Sequence, residues 1–163
     1  MILEIVIIFF ISYLFGSIPS GIIFAKLFSL GDLRKIGSGS IGTTNVMRTG
    51  NYYAAILTLI VDFLKSYTAI QITLLINKQF FLFSACIVLI GHIFPIWLKF
   101  KGGKGFASYL GIIFSLNIFL FIMIIPIWII VFFIKRTSSL AALITSFAAV
   151  LFSIFIFNSN HFD

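Results

Sequence analysis

Residues 106–134 read FASYLGIIFSLNIFLFIMIIPIWIIVFFI. A membrane-crossing helix needs about 20 largely apolar residues. This stretch is too long for one ordinary crossing and too short for two full ones. Ser115 and Asn117 offer a polar break, and Pro126 a kink, because proline removes a backbone donor. The flanking cations decide between one crossing and two. Lys101 and Lys104 precede the stretch, and Lys135 and Arg136 follow it. Basic loops stay on the cytoplasmic side of a membrane. The chain must therefore leave and return on the same side, which predicts a short helical hairpin turning near Ser115–Asn117.

Working outward, Ile2–Phe28, Tyr52–Ile76, Phe80–Leu98 and Leu140–Phe157 are each apolar enough to span. Lys26, Arg34, Lys35 and Arg48 gather around the first connection, and Lys99, Lys101 and Lys104 in the third. The expected architecture is all-α. It is a polytopic integral membrane bundle of six helices, with the short hairpin at 106–134 and the N-terminus outside. Residues 1–163 form a single membrane domain with cytoplasmic loops near 29–51, 99–105 and 135–139; neither an internal repeat nor a linker is visible. Composition agrees, since 61% of the residues are hydrophobic and only 9% charged. Soluble domains carry about 45–50% apolar residues. Met1–Phe15 lacks a basic leading region and a small-residue cleavage site, so it reads as a retained helix.

The net charge of +7 does not point to nucleic acid, because the cations sit in short loops between apolar runs. The single cysteine, Cys86, allows no disulfide within the chain and reads as a buried small hydrophobe. Cysteine, histidine and carboxylate spacing suggests no metal site, and no cofactor is expected.

Two loops carry the chemistry. The first holds Gly37, Ser38, Gly39, Ser40, Gly42, Thr43, Thr44 and Asn45, followed by Arg48. Glycine allows backbone N–H groups to converge on an anion, and a following helix N-terminus adds further donors. Arg48 can grip a phosphate with two parallel hydrogen bonds. The second loop holds Lys99, Lys101, Gly102, Gly103, Lys104 and Gly105, just after His92 and Pro95. It is not a nucleotide-binding P-loop, because Gly105 stands where that pattern needs Ser or Thr. Lys99 suits headgroup contact, whereas Lys104 between glycines suits a ligand. Near the third loop, Ser138 or Ser139 suits a helix cap, and Arg136 a topological anchor.

His92 is the one plausible general base, and it reads equally as a hydrogen-bonding strut. Many donors and few bases suit a reaction whose substrate already carries a good leaving group. Within the helices, Gly16-Ser17-Ile18-Pro19-Ser20-Gly21 marks a break, and Asp62 and Lys65 share one helix face. The latter two are expected in a structural or supporting role.

These segments resemble the bacterial acyl-phosphate:glycerol-3-phosphate acyltransferases, the PlsY family. The likeness rests on residues 16–21, the Gly-Ser-Gly stretch through Asn45 to Arg48, Gly91-His92 with Phe94-Pro95, residues 100–105, and Ser138-Ser139-Leu140 after Arg136. It implies transfer of a fatty acyl group from acyl phosphate to the sn-1 hydroxyl of glycerol 3-phosphate, giving 1-acylglycerol 3-phosphate and phosphate. The expected catalytic residues are Arg48, Lys104 and His92. Phosphate or substrate binding would fall to Ser38, Gly39, Ser40, Gly42, Thr43, Thr44, Asn45, Lys101, Gly102, Gly103, Gly105, Arg136, Ser138 and Ser139. Acyl phosphate, glycerol 3-phosphate and membrane lipid are the expected partners, with no obligate protein partner. The expected location is the bacterial plasma (inner) membrane, with the active site facing the cytoplasm. The substrate's own phosphate would help to take the hydroxyl proton. Ser40 stands where the family usually has Asn. The family's usual seventh helix and tail are not expected in this sequence, and His161 is not assigned to the tail motif. The rival reading is a transporter or channel for a phosphorylated solute, favoured by broken helices but lacking a polar path across.

Overall fold

The computed structural model describes residues 1–159, and every regular element among them is helical. The helices are α1 (Ile2–Gly16), α2 (Ser20–Leu27), α3 (Thr43–Met47), α4 (Tyr52–Ile76), α5 (Phe81–Ile93), α6 (Phe106–Leu116), α7 (Ile118–Lys135) and α8 (Ser138–Ser159). Three single-turn 3₁₀ segments punctuate the loops, at Leu33–Lys35, Lys78–Phe80 and Ile96–Leu98. Asn160–Asp163, including His161, lie outside the described residues.

Five stretches are long and apolar enough to cross a membrane: Ile2–Leu27, Tyr52–Ile76, Lys78–Leu98, Ile118–Lys135 and Ser138–Ile156. The first contains both α1 and α2, interrupted at Ser17–Pro19 where the glycine-serine-proline segment predicted a break. The stretch at 106–134 does divide at Asn117, but unequally. Helix α6 has 11 residues, whereas α7 has 18 and reaches spanning length. The expectation of two short arms is thus corrected. Asn117 takes extended backbone (φ −159°, ψ 116°) and its side chain accepts from the Leu120 amide, starting α7 at once. Pro126 lies inside α7 without ending it.

Packing divides the chain after Ser115, where the sequence suggested one undivided domain. In the first unit, α1 packs on α4 and α5, and α2 and α3 pack on α4. Gly16 and Gly91 let α1 and α5 touch backbone to backbone: a Cβ on Gly91 would lie 2.6 Å from the Tyr13 carbonyl oxygen. Ala69, Ile70, Ala85, Val88 and Ile112 form one buried apolar cluster. Ala25, Leu33, Val46, Ala54 and Ala55 form another around the first loop. Ile56, Ile60 and Leu64 remain exposed on α4, and Cys86 on α5. An apolar outer face is what a lipid solvent favours; the expectation that Cys86 is buried is corrected. The second unit begins at Leu116, and in it α7 packs against α8. Ala141, Thr145 and Ala149 recur every four residues along a buried face of α8.

Candidate active site

The break between α1 and α2 determines the floor of the site. Proline has no N–H, so the helical ladder fails at Pro19. The Ile18 carbonyl there accepts a hydrogen bond from Lys65 Nζ at 2.8 Å. Lys65 Nζ also lies 2.7 Å from Asp62 Oδ1 and 2.9 Å from His92 Nδ1. Ser20 Oγ donates to Asp62 Oδ1 at 2.6 Å. Ser108 Oγ donates to the Asp62 carbonyl at 3.2 Å and lies 3.2 Å from His92 Nδ1. Asp62, Lys65 and His92 are only 2%, 4% and 4% exposed. Helices α2, α4, α5 and α6 thus meet on one buried polar cluster, paired as intramembrane charges must be. Asp62 and Lys65 do pair across their shared helix face.

The second loop is folded onto this cluster. After α5, Lys99 and Phe100 both adopt left-handed backbone (φ 53° and 61°), and the chain turns back. The Gly102 amide donates to the Ile93 carbonyl at 2.9 Å, and the Gly103 amide to the His92 carbonyl at 3.1 Å. A Cβ on Gly103 would overlap His92 Nε2, so only glycine lets the loop lie against the imidazole. Gly103 and Gly105 are buried while Lys101 and Lys104 stay exposed. Lys104 stands just before α6, whose first amides have no partner within the helix.

The first loop is held from inside by Asn45, which is 2% exposed. Asn45 Oδ1 accepts from the Ser38 amide at 3.1 Å, and its Nδ2 donates to the Leu33 carbonyl at 2.8 Å. Both ends of the Asn45 side-chain amide thus hold the loop. Gly37 has φ +52°, and a Cβ there would lie 2.5 Å from Arg48 Nη1. The Arg48 side chain thus lies over the glycine backbone while remaining exposed. Ser38 is exposed, and Gly39 (φ +68°) donates its amide to the Ile36 carbonyl. Ser40 Oγ accepts from the Gly42 amide at 3.3 Å. Thr44 is half-buried, and Thr43 Oγ1 is buried without a hydrogen-bond partner. Gly21 touches the Ile41 carbonyl, seating this loop on α2 one residue from Ser20.

Arg136, Ser138 and Ser139 belong to the second unit. Arg136 ends α7 in left-handed backbone with its guanidinium 5.8 Å from the Phe133 ring centre. Ser138 and Ser139 occupy the first turn of α8 rather than its cap, since the helix begins at Ser138. No group of metal-ligating side chains occurs among the described residues. The carboxylates described are all engaged. Glu4 accepts from Asn77 Nδ2, Asp32 accepts from the Arg34 amide, and Asp62 sits in the buried cluster. Sequence reasoning missed Ser20 and Ser108. Ser20 lies in the recognised break, but nothing local to Ser108 signals its partners.

A protein-family model described as glycerol-3-phosphate acyltransferase matches residues 6–162. A glycerol-3-phosphate acyltransferase of Bartonella henselae is 48% identical over 154 residues, covering 91% of this chain and 72% of the relative. One from Pelagibacter ubique is 42% identical over 158 residues, covering 97% and 83%. Among solved structures, the chain is similar to PlsY (YgiH), an integral membrane glycerol 3-phosphate acyltransferase, in its glycerol 3-phosphate form. The TM-score is 0.84 at 33% identity, over 93% of this chain and 77% of that one. The lysophosphatidic acid form matches with a TM-score of 0.80 at 30% identity, over 93% and 76%. With its helical break, glycine loops and cations arranged as described, this chain belongs to the glycerol-3-phosphate acyltransferase family.

Proposed function

We propose that this protein transfers a fatty acyl group from acyl phosphate to the sn-1 hydroxyl of glycerol 3-phosphate at the cytoplasmic face of a bacterial plasma membrane. The products are 1-acylglycerol 3-phosphate and inorganic phosphate, an early step of phospholipid synthesis. The observation that carries the reading is the likeness, over 93% of the chain, to an acyltransferase solved in its glycerol 3-phosphate form. That likeness favours the enzyme over the phosphate-solute transporter that broken helices alone would allow.

The geometry supports a mechanism based on positioning and charge. Arg48 and Lys104 are exposed cations beside glycine backbone, where a phosphate can approach both side chain and amide closely. They bind the phosphoryl groups and stabilise negative charge on the carbonyl oxygen and the departing phosphate. Ser38 adds an exposed donor beside them. The assignment of Arg136, Ser138 and Ser139 to phosphate rests on motif resemblance alone. Glu4, Asp32 and Asp62 are each committed to other partners, so none is placed as a general base. His92 serves as a strut. The proton of the attacking hydroxyl passes instead to a substrate phosphate oxygen, while the acyl carbon–phosphate oxygen bond breaks.

The purified chain, given palmitoyl phosphate and glycerol 3-phosphate in detergent, should release phosphate only when both are present. Phosphate release without glycerol 3-phosphate would indicate a hydrolase. Uptake of glycerol 3-phosphate into vesicles without acylation would restore the transporter reading. Cysteines placed at Ser38 and Lys101 in a Cys86→Ala background should react with an impermeant thiol reagent only from the cytoplasmic side.

A further inference from the structure

The hydrogen bonds around Lys65 determine the state of His92. An ammonium group has three N–H donors and no acceptor. Three groups surround Lys65 Nζ: the Ile18 carbonyl at 2.8 Å and Asp62 Oδ1 at 2.7 Å, which can only accept, and His92 Nδ1 at 2.9 Å, which accepts in one tautomer. Each donor therefore has one partner, provided that Nδ1 carries no proton. The Ser108 hydroxyl can donate to the Asp62 carbonyl, so it places no demand on Nδ1. Asp62 Oδ1 lies 3.6 Å from Nδ1, beyond hydrogen-bonding distance, and Ser108 Oγ at 3.2 Å could accept a proton from it. The ammonium at 2.9 Å would then still face an N–H and keep one donor unpaired in a buried site, which is costly. The other ring nitrogen, Nε2, faces the backbone of Gly103, between Lys101 and Lys104.

We infer that Lys65 is a positioning residue: its hydrogen bond to His92 Nδ1 holds the imidazole neutral with its proton on Nε2. A donor rather than a base thereby stands against the glycine–lysine loop. A hydrogen bond to one ring nitrogen selects the proton's place on the other. The same ammonium grips the break in the first helix through Ile18. One residue thus ties the break in the first helix to the ring against the second loop. The inference rests on the proposed phosphate role of the second loop only for its effect on turnover, not for the tautomer itself.

The test uses the full chain labelled with ¹⁵N-histidine in detergent, with His161→Gln to leave one signal. The ring nitrogens of His92 should report a neutral imidazole protonated on Nε2 at neutral pH. In Asp62→Asn/Lys65→Met, which removes both charges together, the signal should move toward a mixture of tautomers. KM for the phosphorylated substrates should then rise on the order of tenfold or more, with a smaller change in kcat. His92→Gln, which can place an amide donor near the Nε2 position, should keep clearly more turnover than His92→Ala. A cationic or Nδ1-protonated His92 in the unaltered ring environment would overturn the inference. So would a folded double variant that keeps the original tautomer, or equal turnover in His92→Gln and His92→Ala. The first readout needs no disruptive variant and no activity. Inactivity of the unaltered chain would therefore count against the proposed reaction while the nitrogen signals still decided the role of Lys65.

Discussion

Lys65 and Lys104 carry the same ammonium group in opposite circumstances. Lys65 is buried, within hydrogen-bonding distance of the Ile18 carbonyl, Asp62 Oδ1 and His92 Nδ1. Lys104 is exposed, set between buried glycines at the start of α6. Arg48 and Asn45 repeat the contrast within the first loop. Asn45 is buried with both ends of its amide bound within the loop, to Ser38 and Leu33, whereas Arg48 lies exposed over Gly37. The proposed chemistry thus falls where hydrogen-bonding capacity is unspent, and the spent groups hold that region in shape. Polarity and charge alone do not separate the two.

The sharpest way to break the comparison is to disturb the spent region. Lys65→Met leaves Asp62 charged, buried and without its cation, so it should destabilise the fold by about 3–5 kcal/mol. Thermal unfolding in detergent would measure this, and Asp62→Asn in the same chain should recover a large part of the loss. A single variant as stable as the parent would show that water or another group already compensates Asp62.

The unspent region should behave differently. Arg48→Ala and Lys104→Ala should each lower turnover about a hundredfold or more while leaving the unfolding temperature close to the parent's. Near-normal turnover would remove that residue from the proposed catalytic set. Arg48→Lys sharpens the test, since it keeps the charge but loses the planar fork.

Gly103→Ala probes the boundary between the two regions. Its Cβ would overlap His92, and the crowding should cost about 1–3 kcal/mol and reduce turnover together. Loss of stability with turnover intact would separate His92 from the loop. The smallest effect is expected in the second unit. Asn117→Ala removes the side-chain cap on the Leu120 amide and should cost about 1 kcal/mol without a direct effect on substrate affinity.

Much of the fold was legible in the residues themselves. The apolar runs, the break at Ser17–Pro19 and the division at Asn117 follow from side-chain hydropathy, a missing proline N–H and a capping amide, all local properties. The unequal lengths of α6 and α7 were not legible, because Ser115 and Pro126 also read as interruptions and the helix tolerates both. The clustering of glycine with Arg48 and with Lys104 marked the two loops and suggested phosphate as their ligand. Which residues in those loops are spent was not marked, since Ser38, Asn45 and Thr44 are equally good donors on paper.

By itself, the sequence determined the membrane class, the helical elements, the family motifs and the positions of the two glycine–cation loops. These depend on composition and short-range spacing. Only the tertiary structure decided that Ile18, Ser20, Asp62, Lys65, His92 and Ser108 form one buried cluster, and that Gly103 rests on its imidazole. The physical reason is the range of the interactions. Hydropathy and backbone propensity act within a few turns of one helix. A buried charge finds its partners wherever packing brings them, here across four helices that no local spacing relates.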